Sequence, residues 1–321
     1  MNADTDPARY AIHHFDGRGF SQSYVHEGLG GLPIVLVHGW PETKRIWWRV
    51  ITPLVDAGFE VIVVDLRGFG DSDVGPGGPA AGFGDVPTHA RDIHALIEHL
   101  GHTRVVLAAG DLGGPVIQDL SARFTPLVDR MVLFNSPLPF LRDAMTGMRT
   151  RPAAEASDYF IRQGTDADAL SGELATPEQR IRYISTFYTS RFWGHPGSFD
   201  TDAVSFHARP FADADHLRAG FRAYESSFSA AARSEAPMLG VNATPTLILF
   251  GPSDHVIYPD FDLMAAQVFP NHVGPFLLRN CGHFVPWEAA HAFTSATTAF
   301  CGDLLSGVAK GSPVEDTHRH S

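Results

Sequence analysis

The sequence predicts an α/β protein, an open and mostly parallel sheet with helices on both faces. Three observations predict it. Short apolar runs without polar alternation recur up to Asn135 and again from Thr246, as strands buried on both faces require. Segments with apolar residues at helical spacing separate them. Between the two groups of runs, residues 138–238 are rich in aromatics, Arg and Asp, contain no clear strand, and read as an inserted helical subdomain.

The elements follow in order. Ile34–Val37 is a continuous apolar run ending at His38-Gly39. Thr43–Ala57, with Ile46, Trp47, Val50 and Leu54, reads as a helix. Glu60–Val64 is a strand closing at Asp65. The Gly/Pro-rich stretch Val74–Pro87 reads as a loop. Thr88–Leu100 carries Ile93, Leu96, Ile97 and Leu100 at helical spacing, Arg104–Ala109 is a strand, and Gly113–Phe124 is a helix with Val116, Ile117, Leu120 and Phe124 inward. Arg130–Phe134 ends at Asn135. After the insertion, strands are expected at Thr246–Phe250 and Pro275–Leu278, then a last helix over Trp287–Leu305. The domain division is therefore 1–137 for the first part of the core, 138–238 for the helical cap, 239–305 for the second part and 306–321 for a flexible tail. Residues 1–8 are polar and read as mobile too.

Composition narrows the class. In 321 residues, 24 Lys and Arg stand against 36 Asp and Glu, a net charge of −12. No basic stripe is visible, so a nucleic-acid partner is not expected. No apolar stretch reaches the about 18 residues a membrane helix needs, so neither is a membrane. Cys281 and Cys301 are too few for a disulfide framework. The first residues show no cationic start followed by an apolar run. These readings point to the cytoplasm. A homodimer is compatible with all of them.

The most informative segment is Val105-Val106-Leu107-Ala108-Ala109-Gly110-Asp111-Leu112-Gly113-Gly114. A buried strand runs into a helix through small-x-Asp-x-small. So sharp a turn needs small residues two before and two after its centre, and Ala109 and Gly113 supply them. The residue at the centre is exposed at the end of the sheet and the start of a helix. A carboxylate there can attack an electrophilic carbon and form an ester. An Asp capping a helix after a strand is the plainer reading of this turn taken alone.

Five motifs together change the balance: His38-Gly39-Trp40-Pro41, Asp65-Leu66-Arg67-Gly68-Phe69-Gly70-Asp71-Ser72, the Asp111 turn, Gly251-Pro252-Ser253-Asp254 and Cys281-Gly282-His283-Phe284. In this order and spacing the chain resembles the α/β-hydrolase superfamily over roughly residues 22–300, in particular its Asp-nucleophile epoxide hydrolases and their dehalogenase relatives. The resemblance implies a mostly parallel eight-stranded sheet with an inserted helical cap, and no cofactor or metal. It makes Asp111 the nucleophile, His283 the base that activates water, and Asp254 the acid that orients His283. Some relatives carry the acid after the preceding strand, but Asn135-Ser136-Pro137 offers no carboxylate there. Backbone N–H groups of Leu112 and, by resemblance, Trp40 would form the oxyanion hole.

The helpers separate two chemistries. Epoxide opening creates an alkoxide, and the epoxide hydrolases protonate it with paired cap tyrosines. Ala156-Ser157-Asp158-Tyr159-Phe160 resembles the first tyrosine segment and Gly220-Phe221-Arg222-Ala223-Tyr224 the second, with Glu225 where the family often has Arg. Many dehalogenases place Trp directly after the nucleophile, where this chain has Leu112. Fluoroacetate-type relatives place Arg one and four residues after it, where this chain has Leu112 and Pro115. Both departures count against dehalogenation. The expected partners are thus a small-molecule epoxide and water. A dehalogenase using the same Asp111 and His283, or a non-catalytic ligand binder on this fold, are the alternatives. The pocket is expected between cap and core, with Trp40, Phe140, Phe187 and Phe284 as apolar lining.

Overall fold

A computed structural model describes residues 3–80, 84–152 and 154–308. Eight strands, β1 (His13–Gly17), β2 (Phe20–Glu27), β3 (Leu32–Val37), β4 (Phe59–Val64), β5 (Val105–Ala109), β6 (Val128–Phe134), β7 (Thr246–Phe250) and β8 (His272–Leu277), form one sheet in the order β1-β2-β4-β3-β5-β6-β7-β8. β1 and β2 pair antiparallel, and β2 lies antiparallel on β4. From β4 to β8 all pairings are parallel.

The apolar runs explain this order. Ile34, Val35, Leu36 and Val37 are all fully buried. Since successive side chains of a strand point to opposite faces, both faces of β3 must be covered. Helices supply the cover. On the core lie α1 (Ile51–Asp56), α2 (Val86–His99), α3 (Gly113–Arg123), α10 (Phe261–Val268), α11 (Val285–Glu288), α12 (Ala290–Phe300) and α13 (Gly302–Val308). α2 packs with α3, and α1 with α12. Between β6 and β7 come α4 (Ala154–Thr165), α5 (Ala167–Glu173), α6 (Pro177–Thr189), α7 (Thr201–Ala208), α8 (Ala214–Gly220) and α9 (Arg222–Phe228). Among the described residues this insertion holds no strand.

Several boundaries differ from the sequence reading, each for a physical reason. β1 and β2 carry polar residues and lie at the sheet's rim, so no apolar run announces them. The expected helix Thr43–Ala57 is two pieces. The Lys44 N–H is taken by Asp65 Oδ1 (2.8 Å), leaving a short 3₁₀ turn over Lys44–Trp47. Pro53 lacks an N–H and fits only a first turn, which α1 provides. The loop ends earlier than expected, because the Asp85 side chain accepts from Thr88 N–H (3.2 Å) and caps α2 at Val86. β8 begins at His272, three residues early. It is an edge strand, with Val273, Phe276 and Leu277 exposed, and an edge tolerates Pro275. The last helix breaks into α11, α12 and α13, turning at Ala289 and Cys301. Residues 3–8 are anchored rather than loose: the Trp48 indole N–H donates to Asp6 O (3.0 Å) and Arg9 pairs with Asp4 (3.1 Å). Of the tail expected over 306–321, residues 306–308 instead close α13, and 309–321 lie outside the described residues.

The parallel register levels the carboxyl ends of the central strands. Val37 stands beside Val64 and Ala109, and Ala109 beside Leu133. The segments after β3, β5 and β6 therefore emerge together at one end of the sheet, where an open α/β sheet offers a crevice.

Candidate active site

Asp111 leaves the end of β5 with φ 42, in the left-handed region that few L-residues occupy. Its backbone is held on both sides. The N–H donates to Asn135 O (2.9 Å), and its carbonyl accepts from Ser136 Oγ (3.1 Å) and Gly114 N–H (3.0 Å). Leu112 follows as the residue before α3. A side chain on Gly113 would meet the carbonyl oxygens of Val37 and His38 at 2.7 Å, so the expected need for a small residue there has a concrete cause.

The carboxylate of Asp111 is 4% exposed as a residue and divided between two functions. Trp40 N–H donates to Oδ1 at 2.7 Å, while Oδ2 lies 3.2 Å from His283 Nε2. On its other side the His283 ring reaches Asp254 Oδ2 through Nδ1 at 2.8 Å. Asp254 is itself saturated: Oδ1 accepts from Val256 N–H (2.7 Å) and Ile257 N–H (3.2 Å), and Oδ2 from Asn135 Nδ2 (2.8 Å). The structure thus brings Asp111, Asp254, His283 and the Trp40 N–H into one chain of contacts.

Burial opposes the imidazolium of His283, but the carboxylates of Asp254 and Asp111 outweigh it and hold its pKa well above the ordinary value. His38 is the opposite case. Burial lowers it to about 4, and the neutral ring uses both nitrogens structurally. Nδ1 contacts Gly39 O (2.8 Å), and Nε2 accepts from Leu66 N–H (3.0 Å).

A cavity of about 530 Å³ opens over this end of the sheet. Asp111, Leu112, Tyr159 and Tyr224 all line it. Tyr159 stacks on Trp40 (ring centroids 5.5 Å, planes 8° apart), and Tyr224 meets both rings edge-on, at 5.6 Å from Trp40 and 5.8 Å from Tyr159. Burial, reinforced for Tyr159 by the Asp111 carboxylate, raises both phenols well above their ordinary pKa. Both are therefore neutral proton donors at physiological pH. The two hydroxyls lie close enough to interact with each other, and both are buried.

The aromatic wall differs from the sequence reading. Phe140 is 60% exposed and lies off the cavity, because the segment after β6 carries it outward. Phe187 and Phe284 are buried but also off the lining. Phe187 packs edge-on against Trp40 (4.7 Å) and Tyr159 (5.5 Å), and Phe284 stacks on Tyr188 (4.7 Å). Trp40 likewise braces the tyrosines from behind. The apolar lining comes instead from Leu66, Phe69, Val86, Phe160 and Ile257.

Three residues of the site escape a sequence reading. Asn135 (φ 32) clamps the loop after β7, donating to Gly251 O (3.0 Å) while Gly251 N–H donates back to Oδ1 (2.8 Å). An Asn ending a strand, tolerant of positive φ, was the available signal. Glu42 accepts from Gly39 N–H (2.7 Å), and burial, with repulsion from Asp111 opposed by His283, lifts its pKa to about 7. Trp193 sits edge-on to His283 (4.7 Å) and its carbonyl accepts the His283 N–H (2.8 Å). Nothing local marks Trp193, which reaches the site only through folding of the insertion.

Comparison with known proteins places the chain in a family. The model of the alpha/beta hydrolase fold family matches residues 33–290. A soluble epoxide hydrolase of Corynebacterium is 29% identical over 273 residues, covering 84% of this chain and 90% of its own length. Haloalkane dehalogenase 2 of Mycobacterium bovis is 34% identical over 310 residues, covering 91% and 96%. The solved structure of epoxide hydrolase CorEH without ligand superposes with a TM-score of 0.78 at 26% identity, over 92% of this chain and 99% of that one.

Proposed function

The chain belongs to the α/β-hydrolase fold family, and from that footing we propose that it is an epoxide hydrolase working through an ester of Asp111. The observation that carries this reading is that one carboxylate and two neutral phenols line the same apolar cavity. A carboxylate alone suits several electrophiles. Paired proton donors in the same cavity suit a leaving oxygen that stays attached to the substrate.

The steps use the groups as they stand. Asp111 Oδ2 attacks an epoxide carbon, the C–O bond breaks, and Tyr159 or Tyr224 gives its proton to the oxygen. Oδ1 stays in place, already receiving the Trp40 N–H. His283 then takes a proton from water, which attacks Cγ of Asp111. The charge that develops on Oδ1 is held by Trp40 N–H and Leu112 N–H. Collapse breaks the Cγ–Oδ2 bond, and the His283 imidazolium returns its proton to Oδ2, so that the diol leaves with two hydroxyls. The second proton of the attacking water, left on the Asp111 carboxyl, passes to the tyrosinate and restores both groups.

A single turnover in heavy-oxygen water, with enzyme in excess, tests this. The expected result is an unlabelled diol and label in Asp111, read by mass spectrometry of its peptide. Label in the first-turnover diol would overturn the ester. The dehalogenase relative favours a second reading, in which the same Asp111 displaces halide. Leu112 offers no side-chain donor to a departing halide, so halide release without epoxide turnover on a mixed panel is the result that would select it.

A further inference from the structure

We propose that His26, Glu60 and His102 form a binding site for a divalent transition-metal ion of the zinc class, at the end of the sheet opposite the cavity. Among the described residues, these three side chains converge with their ligand atoms all within 4.8 Å of one another. No short motif joins them. The topology does.

β2 runs antiparallel to β4, and His26 stands opposite Ile62. Glu60 lies two residues before Ile62 and so on the same face, diagonal to His26, at a separation that long side chains bridge. His102 arrives from the turn after α2, where its own N–H donates to Ile97 O (3.1 Å) and Gly101 takes φ +81. The parallel strands begin at this end, since Glu60 is the second residue of β4 and His102 precedes β5. Asp111 sits at the other end.

The donor set has the chemistry of a cation site. Both imidazoles present Nε2 to the same carboxylate oxygen: His26 at 2.7 Å and His102 at 3.1 Å from Glu60 Oε1. Oε2 is held by Gly30 N–H (3.1 Å), which fixes the carboxylate as an outer-shell partner does in metal sites. Two imidazoles and a carboxylate are the ligands zinc accepts at about 2.0–2.2 Å. Those bond lengths in a tetrahedron set ligand atoms roughly 3.3 Å apart, so the two rings draw back slightly from Glu60, from 2.7 and 3.1 Å, and close on each other from within 4.8 Å. The Glu60 side chain is 8% exposed and the imidazoles 14% and 16%. That leaves one side reachable by water as fourth ligand. An ion here bridges all three side chains and ties the rim strand β2 to the parallel sheet and to the turn after α2.

The test uses the full chain after chelator treatment, titrated with Zn²⁺ by calorimetry and with Co²⁺ by visible absorption. The expected result is one site per chain, an intense tetrahedral Co²⁺ spectrum, and a melting temperature raised by Zn²⁺. Glu60→Gln and His102→Asn should each weaken binding about tenfold or more, with epoxide turnover unchanged as the check on folding. A His318→Ala, His320→Ala variant, which removes the histidines near the chain end, should bind as wild type. No binding, binding untouched by Glu60→Gln and His102→Asn, or binding lost with the two end histidines would each overturn the proposal. In those cases the three side chains are a hydrogen-bonded clasp only.

Discussion

His283 sits between two carboxylates that treat it differently through a reaction cycle. Asp254 is held in place by Val256, Ile257 and Asn135. In the proposed mechanism Asp111 loses its charge on forming an ester. The contact of 3.2 Å from His283 to Asp111 is part of what raises the imidazole pKa. Removing that charge frees the ring to act as a base at the moment water must be activated. Asp111→Asn imitates the uncharged state, so the His283 pKa should fall in that variant. An imidazole titration by NMR checks it, and an unchanged value would mean Asp254 alone sets the pKa. Glu42 carries a second pH signature. Its pKa is about 7 in the fold against an ordinary 4.5. A raised carboxyl pKa means the native state holds the proton more tightly than the unfolded chain. Stability attributable to Glu42 is therefore lost as pH climbs from 4.5 through about 7, and the loss is constant above. Glu42→Gln keeps an oxygen for Gly39 N–H and removes the charge. Its melting temperature should match wild type near about pH 4 and exceed it increasingly up to about pH 8. A gap independent of pH would refute the assignment.

At the scale of elements, the turn from β5 into α3 does most to fix the site. Val37 and His38 carbonyls crowd Gly113, and Ser136 Oγ would lie 1.7 Å from a Cβ on Gly114. Backbone cannot retreat as a side chain can. Gly113→Ala should therefore push the start of α3 off β3 and move Asp111 from the Trp40 N–H. The expected cost is about 1–3 kcal/mol in chemical denaturation, with kcat falling more than KM rises. Near-wild-type kcat would show that the turn tolerates displacement. This turn was legible in the sequence because its constraint is local: small residues at fixed offsets around Asp111. The central strands were legible for a similar reason, since burial on both faces leaves an unbroken apolar run such as Val105–Ala109. The rim strand Phe20–Glu27 was not, because Ser21, Gln22 and Ser23 meet side-chain and backbone partners across the sheet edge instead of apolar neighbours. The positions of Phe140, Phe187 and Phe284 were illegible too. An aromatic inside a helical insertion declares that it packs, not which side of Trp40 it packs on.

Over the whole molecule, the insertion helps hold His283, the proposed base, in register with Asp111, the proposed nucleophile, since the two belong to the core segments on either side of it. The link runs through Glu288. Its carboxylate accepts N–H groups from Gly282 (2.9 Å) and Phe284 (2.9 Å), the two neighbours of His283. The same carboxylate accepts from His195 N–H (2.7 Å) and Ser198 Oγ (3.1 Å) in the segment between α6 and α7. One side chain thus ties the His283 loop to the insertion, and Trp193 O closes the contact on His283 N–H itself (2.8 Å). Burial raises the Glu288 pKa, and those donors hold it down. Glu288→Ala would strand three backbone N–H groups, for which about 2–4 kcal/mol of lost stability is expected once water fills part of the gap. The kinetic consequence is selective. Asp111, Tyr159, Tyr224 and Trp40 N–H are positioned by other contacts, so alkylation of Asp111 should proceed near its normal rate. Hydrolysis of the ester depends on where His283 stands and should slow by about tenfold or more. The ester would then accumulate, visible in rapid-quench mass spectrometry as a mass increase on the Asp111 peptide. If alkylation and hydrolysis slowed together, Glu288 would be holding the insertion over the cavity as a whole rather than the base in particular.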